Sequence, residues 1–415
     1  MHIKAAILAI GNEILSGHTV DTNSVWISQQ LNKLGIEVVT RMAVGDDAQA
    51  IRKAIQIGEE NASILILTGG LGPTADDITK KVLADYFNAQ LVCHAEVLAH
   101  IQGIFQKRNL PMLERNTQQA EVPDNCTVLF NKMGTAPGMW FSYDQKILVS
   151  LPGVPHEMKY LMAHQVLPKI QQTLTDHHII FRSVVTAGQG ESFVAERIAD
   201  IEDSLPPYIR LAYTVHYRVL TLRLTGFGKD KEQLIKETEH YQSALAARLA
   251  DIVIAEEEIP LAELVGNYLQ IAEMKLGLAE SCTGGYIAHL MTQVQGSSVN
   301  FKGSAVCYQT SIKHDVLGIS QEILDNNDVV SEIVAKEMAT AAARKFRADF
   351  GLGITGYIDQ VPSESAVPPG TVWIAIAHGN EVITKKLLLS YDRVTNIGVA
   401  AQEALIFLLK KLRNS

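Results

Sequence analysis

Short apolar runs alternate with amphipathic stretches along most of the chain. Ile64 to Leu67 is uninterrupted apolar sequence, the pattern of a strand buried on both faces of a parallel sheet. His2 to Ile10 predicts an earlier strand of the same kind, and Ile36 to Ala43 another. Between them, Asp21 or Asn23 caps a helix running to about Leu34, and Asp46 and Asp47 open a second helix to about Glu60. A helical pattern also runs from Asp76-Asp77 through Phe87. Strands alternating with helices predict right-handed βαβ units and a parallel sheet. Helix is expected over roughly Ala95 to Gln106, then an alternating strand near Met139 to Tyr143 and a strand from Lys146 to Leu151.

From about Asp176 the pattern changes to a small α+β unit. It holds a strand from Arg182 to Ala187, a helix from Glu191 to Ile201, one or two strands within Arg210 to Phe227, and a helix from Lys231 to Leu249. The acidic stretch Glu256-Glu257-Glu258 leads into Ile259-Pro260, a boundary signal. A second α/β unit follows, with a helix from Leu261 to about Lys275 and strands Leu276 to Glu280 and Ser304 to Gln309. A helix Ser331 to Arg347, strands Phe350 to Thr355, Thr371 to Ala377 and Val382 to Leu389, and a helix from about Thr395 complete it. The expected domains are residues 1–172, 176–255 and 260–415.

A length of 415 residues agrees with two to three domains. The formal net charge of -9 argues against a general binder of nucleic acid or membrane surface, so an anionic ligand must be held by local donors and cations. Cys93, Cys126, Cys282 and Cys307 are scattered with no CxxC, which suits a reducing cytosol better than a disulfide framework or a zinc site. The opening MHIKAAILAIGNEI has too short an apolar run for a signal peptide, and no run reaches the roughly 18 apolar residues of a membrane span. A cytoplasmic protein is expected.

Candidate chemistry gathers where strands end, the edge at which open α/β sheets bind ligands. After Ile64 to Leu67 come Thr68-Gly69-Gly70-Leu71-Gly72-Pro73-Thr74 and then Asp76-Asp77. The glycines let backbone approach a ligand, and amides at a helix start attract phosphate. The paired aspartates would repel phosphate unless a cation lies between, so the parts suggest a metal-bridged phosphate site. A tight turn with Asp76 or Asp77 as N-cap accounts for the same residues. Glu13 follows the first strand, and Pro152-Gly153-Val154-Pro155-His156-Glu157 follows Leu151, so three such loops point to one composite site. In the last domain Ser281-Cys282-Thr283-Gly284-Gly285 joins a strand to a helix. A serine there has helix-start amides beside it as oxyanion donors, or simply caps the helix.

GNEILSG, DTN, TGGLGPTADDIT, GTAPG and LPGVPHEM resemble, in order, the N-terminal domain of the CinA family, which is similar to molybdopterin-binding domains. The resemblance implies metal-dependent ADP-ribose pyrophosphatase activity, with Glu13, Asp21, Asp76 and Asp77 as metal ligands and Asp76, Asp77 and Glu157 as catalytic groups. Asn23, Gly69, Gly70, Gly72, Thr74, Lys80 and Gly153 would bind substrate. The implied cofactor is a divalent ion (Mg, Mn or Co), with potassium as a further candidate. The middle segment is similar to the family's KH-like domain. An RNA-binding KH domain uses a GXXG loop, and Gly226-Phe227-Gly228-Lys229 is not one, so a structural or dimerising role is expected.

AESCTGG, the GSS at 296–298 with F-x-G, Tyr308 followed by Lys313, VSE before a helix, and GTVW resemble the family's C-terminal amidohydrolase domain. This implies metal-free Ser/Lys deamidation of nicotinamide mononucleotide, with Ser281, Lys313 and Tyr308 as catalytic residues. Thr283, Gly284, Gly285, Ser297, Ser298, Thr355 and Gly356 would contact substrate. A lysine of depressed pKa can serve a serine as base; a solvated surface lysine is the alternative for Lys313, and Cys282 is the rival nucleophile. Where the family continues Thr-Gly-Ile-Ala-Gly-Pro, this chain has Thr355-Gly356-Tyr357-Ile358-Asp359-Gln360, with Glu364 further on. Bulk and acidity there predict weak or absent turnover of a phosphate-bearing amide. The expected whole is two α/β domains joined by a small α+β KH-like domain, acting on small nucleotides as a homodimer. A pterin-binding module without hydrolysis and a competence-linked accessory are the alternatives.

Overall fold

The computed structural model describes residues 3–173, 178–361 and 365–413. Glu364 and the expected boundary at Asp176 lie outside the described residues. The chain divides into two compact units, Met1–Ile180 with Gly226–Ile235, and Phe181–Thr225 with Lys236–Ser415.

The first unit is built on β1 (Lys4–Ile10), β2 (Glu37–Val44), β3 (Ile64–Thr68), β4 (Leu91–Cys93), β5 (Glu121–Pro123), β6 (Thr127–Leu129), β7 (Gly138–Tyr143) and β8 (Lys146–Leu151). Six of them form one sheet in the order β2-β1-β3-β8-β7-β6. It is parallel from β2 to β8, while β7 and β6 add an antiparallel edge. The hairpin between β7 and β8 makes that edge, because antiparallel neighbours need only a tight turn. Strands β4 and β5 pair separately.

Successive residues of β1 and β3 enter opposite cores. Ala6, Leu8, Leu65 and Leu67 pack with Ile51 and Ile55, whereas Ala5, Ile7, Ile64 and Ile66 pack with Ile27, Leu31 and Leu161. That alternation explains why the central strands are apolar throughout: helices cover both faces. Asp21 caps helix Thr22–Lys33 by accepting from Ser24 N at 2.9 Å, which decides between the two capping candidates. Asp47 likewise caps helix Ala48–Asn61.

The second unit contains two sheets. Strands β9 (His178–Ala187), β10 (Ile209–His216), β11 (Val219–Gly228) and β12 (Val253–Ala255) order as β10-β11-β9-β12. Helices Glu191–Asp203 and Lys231–Arg248 accompany this sheet, and Val194, Ile198, Leu245 and Leu249 pack with Val184, Leu220, Leu222 and Leu224. Val185 and Ala187 of β9 point the other way, into a core with Val265 and Leu405.

Strands β13 (Leu276–Glu280), β14 (Phe301–Val306), β15 (Phe350–Gly356), β16 (Thr371–His378) and β17 (Glu381–Leu388) order as β14-β13-β15-β16-β17. The sheet is parallel across β14-β13-β15 and antiparallel beyond. Helices Leu261–Ile271 and Arg393–Arg413 pack together into the Val265–Leu405 core, and Glu332–Phe346 crosses β15. A Cβ on Gly351 would lie 2.0 Å from Ala339 O, so only glycine lets that helix sit so close.

Candidate functional site

The strand ends of the first unit build a cleft of about 370 Å³. After β1, Gly11 leads into a short helix, Asn12–Leu15, which carries Glu13. After β3, Gly69 turns with φ +111, and a Cβ there would meet Ile10 O at 2.1 Å. Gly70 turns with φ +66 against the Thr79 hydroxyl. After β8, the loop passes Gly153 into helix Pro155–Leu161, whose first turn holds Glu157. Asn23 ties the ends together: its Nδ2 donates to Gly153 O at 2.8 Å and Thr68 Oγ1 at 3.1 Å, while Thr68 Oγ1 donates to Pro152 O at 3.0 Å. Asn23 lines the cleft and is 8% exposed, and its buried Oδ1 has no hydrogen-bond partner.

Glu13, Asp21, Asn23, Gly69, Gly70, Gly72, Asp76, Asp77, Gly153 and Glu157 all line the cleft. Neither aspartate of the pair caps helix Thr79–Tyr86: its N-cap is Ile78. Asp77 instead accepts from Thr74 N at 2.9 Å and from the Thr74 hydroxyl, holding the loop in shape. Thr74 beside it also pulls the Asp76 carboxyl below the usual range. Glu157 accepts from Asn131 Nδ2 at 2.6 Å.

Thr74 and Lys80 are not among the lining residues. Lys80 is turned to the carbonyls of Gln118 and Gln119 at 3.0 and 3.2 Å, and burial lowers its pKa to about 8. Asp46, which the sequence pattern predicts as a helix opener, also lines the cleft. The strand-end rule that placed Glu13 applies to it equally, since it follows β2 and accepts from Asn12 N at 2.9 Å.

Among the described residues the cleft has many carboxylates and no lysine or arginine, and no three His, Cys, Asp or Glu side chains converge as a ready metal cage. The donor set is hard oxygen. A Mg²⁺-type ion suits such a wall, because it takes one or two carboxylates and completes its shell with water and substrate phosphate. Asn23, a lining residue, keeps an unpartnered Oδ1.

The C-terminal site lies beyond β13 and β15, in a cavity of about 430 Å³. Ser281, 7% exposed, follows β13, and its amide donates to Ile354 O at 3.0 Å. Lys313, on helix Thr310–Leu317, is only 2% exposed. Its Nζ lies 3.0 Å from Ser281 Oγ and donates to Cys307 O at 2.9 Å. The solvated-lysine alternative is therefore excluded. Burial pushes the Lys313 pKa down, toward the neutral form. Cys282 is buried, and burial pushes its thiol up to about 12, so it offers no thiolate at neutral pH.

One expectation is corrected. The amides at the start of the helix after Ser281 are not arranged as oxyanion donors. The helix begins only at Tyr286, and Gly285 N, Ile287 N and Ala288 N donate to the Glu280 carboxylate at 3.1, 3.0 and 2.9 Å. Glu280, 0% exposed, also accepts from Thr283 Oγ1 at 2.8 Å and Ser304 Oγ at 3.1 Å. A helix start attracts negative charge, and the nearest anion is this buried carboxylate. Glu280 stands last in an apolar strand, so the hydrophobic pattern gives it no role. Its clue was the charge itself at a position buried on both sides.

Thr283, Gly284, Gly285, Ser297 and Ser298 do not line the cavity. Thr283 is turned to Glu280, and Gly284 and Gly285 supply turns at φ +60 and +94. Ser297 and Ser298 sit in a one-turn helix. Thr355 and Gly356 do line it, with Thr355 Oγ1 donating to Val329 O at 2.8 Å. Tyr308 lines it as well, 59% exposed, its hydroxyl accepting from Arg393 Nη2 at 2.7 Å.

Family models match along the chain in order: "Probable molybdopterin binding domain" over residues 6–172, "Damage-inducible protein CinA KH domain" over 182–255 and "CinA C-terminal domain" over 258–412. A CinA-like protein of Cytophaga hutchinsonii is 42% identical over 412 residues, 99% of both chains. Another, of Flavobacterium psychrophilum, is 41% identical over 99% of both. A crystal structure of the protein CinA with unknown function from Thermoplasma acidophilum is 33% identical and covers 40% of this chain and 97% of its own, with a TM-score of 0.37. Full-length identity of this extent, with the three domains in the same order, shows that the chain belongs to the CinA family.

Proposed function

We propose that the chain is a two-site hydrolase of pyridine-nucleotide breakdown products. The observation that carries the proposal is the buried pair Ser281 and Lys313, 3.0 Å apart. Lys313 in its neutral form takes the Ser281 proton as the oxygen attacks an amide carbonyl, then returns it to the leaving nitrogen. Water releases the acyl group by the same route reversed. This fits deamidation of a nicotinamide nucleotide or nucleoside, and it needs no metal.

In the N-terminal cleft the proposed reaction is hydrolysis of ADP-ribose to AMP and ribose 5-phosphate. A divalent ion held by carboxylates among Glu13, Asp21, Asp76 and Asp77 would offset pyrophosphate charge and lower the pKa of water. The chain's own contribution is to hold those oxygens around glycine-rich backbone. The test is incubation with ADP-ribose and with nicotinamide mononucleotide, with and without divalent metal, resolving products by chromatography. AMP formation that ignores metal, or amide hydrolysis that survives Ser281→Ala, overturns the respective half. A pterin-binding module remains the rival for the N-terminal domain, favoured by its molybdopterin-binding match; stoichiometric pterin binding with no nucleotide turnover would establish it. We further propose a homodimer in a cytoplasmic setting. No described helix is long and apolar enough to cross a membrane. Light scattering giving the 45.5 kDa monomer mass at micromolar concentration would refute the dimer.

A further inference from the structure

We infer that Asp359 is a specificity-determining residue of the C-terminal pocket: by occupying Arg393 it makes the pocket select amides without a phosphate over phosphorylated ones. The inference rests on the Ser281/Lys313 reading and names the substrate class of that site.

The described residues lining the pocket supply two basic side chains, Lys313 and Arg393, and one carboxylate, Asp359. Lys313 is directed inward to Ser281 and the Cys307 carbonyl, and it must be neutral to act as a base. Arg393 is then the cation available to a bound anion. Its Nη1 donates to Asp359 Oδ1 at 2.6 Å and its Nη2 to Tyr308 Oη at 2.7 Å. Each terminal nitrogen of the guanidinium already has one partner.

The backbone that carries Asp359 is anchored beside Arg393. Asn396, 1% exposed, donates through Nδ2 to Ile358 O at 2.8 Å. Tyr357 N donates to Thr371 O at 2.9 Å, and Gly370 N to Tyr357 O at 2.7 Å. The segment leading to Asp359 is thus fastened to the start of β16 and to the C-terminal helix. A phosphate reaching Arg393 has to share it with the Asp359 carboxylate, and the two anions repel. A nucleoside amide without phosphate meets no such barrier. The cavity, about 430 Å³, is in the range of small-ligand sites, so charge and not space makes the distinction.

The test uses the full chain with chelator present, and Ser281→Ala to prevent turnover. Nicotinamide mononucleotide and nicotinamide riboside are titrated calorimetrically. The riboside should bind at least as tightly as the mononucleotide. Adding Asp359→Asn should tighten the mononucleotide by roughly fivefold or more, the scale of a charge-assisted contact tempered by solvent, and leave the riboside unchanged. Adding Arg393→Gln should remove that gain. Equal changes for both ligands, a gain that persists without Arg393, or no binding of either ligand would overturn the inference. Turnover by the unsubstituted chain is read separately: binding as described with no amide hydrolysis refutes the Ser281/Lys313 chemistry and leaves the selectivity standing.

Discussion

The N-terminal cleft presents Glu13, Asp21, Asp46, Asp76, Asp77 and Glu157 and, among the described residues, no lysine or arginine. The C-terminal pocket holds a buried lysine 3.0 Å from a buried serine. Both lie at the carboxyl ends of parallel strands, so the sheet alone does not determine what they do. The difference lies in which charge each wall leaves uncompensated. An acid wall can meet an anion only through a cation. A desolvated lysine gives up its proton more readily than a solvated one and can serve as a base.

The sharpest way to break this comparison is to remove the pair. Ser281→Ala or Lys313→Ala should lower amide turnover by about 1,000-fold or more while ADP-ribose cleavage is unchanged. Retained amide turnover in either variant contradicts the pair. In the unsubstituted chain kcat should rise with pH and then level off. Because burial lowers the Lys313 pKa, the neutral base is gained as pH climbs through that lowered value. A rate that falls over the same range would oppose the assignment.

Asp76→Asn and Asp77→Asn should each reduce ADP-ribose cleavage by roughly 10- to 100-fold, the scale of disturbing a metal shell. Amide turnover should not change. Unaltered cleavage in both variants removes the two aspartates from the site.

The smallest activity effect but a clear stability effect is expected at Glu280. Glu280→Ala strips partners from buried amides and hydroxyls and should cost about 3 kcal/mol or more in denaturant unfolding. Loss below about 1 kcal/mol would show that the turn holds itself.

Much of this was legible in sequence for a plain reason. Central parallel strands must be apolar on both faces, so β1, β3, β8 and β13 announce themselves, and the groups just beyond them are placed at one edge. Glu13, Asp76, Glu157 and Ser281 follow from that rule. What pattern could not give was long-range pairing. Lys313 reads as a surface lysine until helix Thr310–Leu317 buries it against Ser281. Asp359 reads as a bare charge until Arg393, 34 residues on, meets it. Lys80 reads as a cleft residue until its Nζ turns to the Gln118 and Gln119 carbonyls.

The most direct measurement is the rate of AMP formation from ADP-ribose and of ammonia release from nicotinamide riboside, in one sample of the full chain, before and after excess chelator. The account predicts that chelator abolishes the first rate and leaves the second unaltered, with divalent metal restoring the first. Loss of both rates, or of neither, would contradict it.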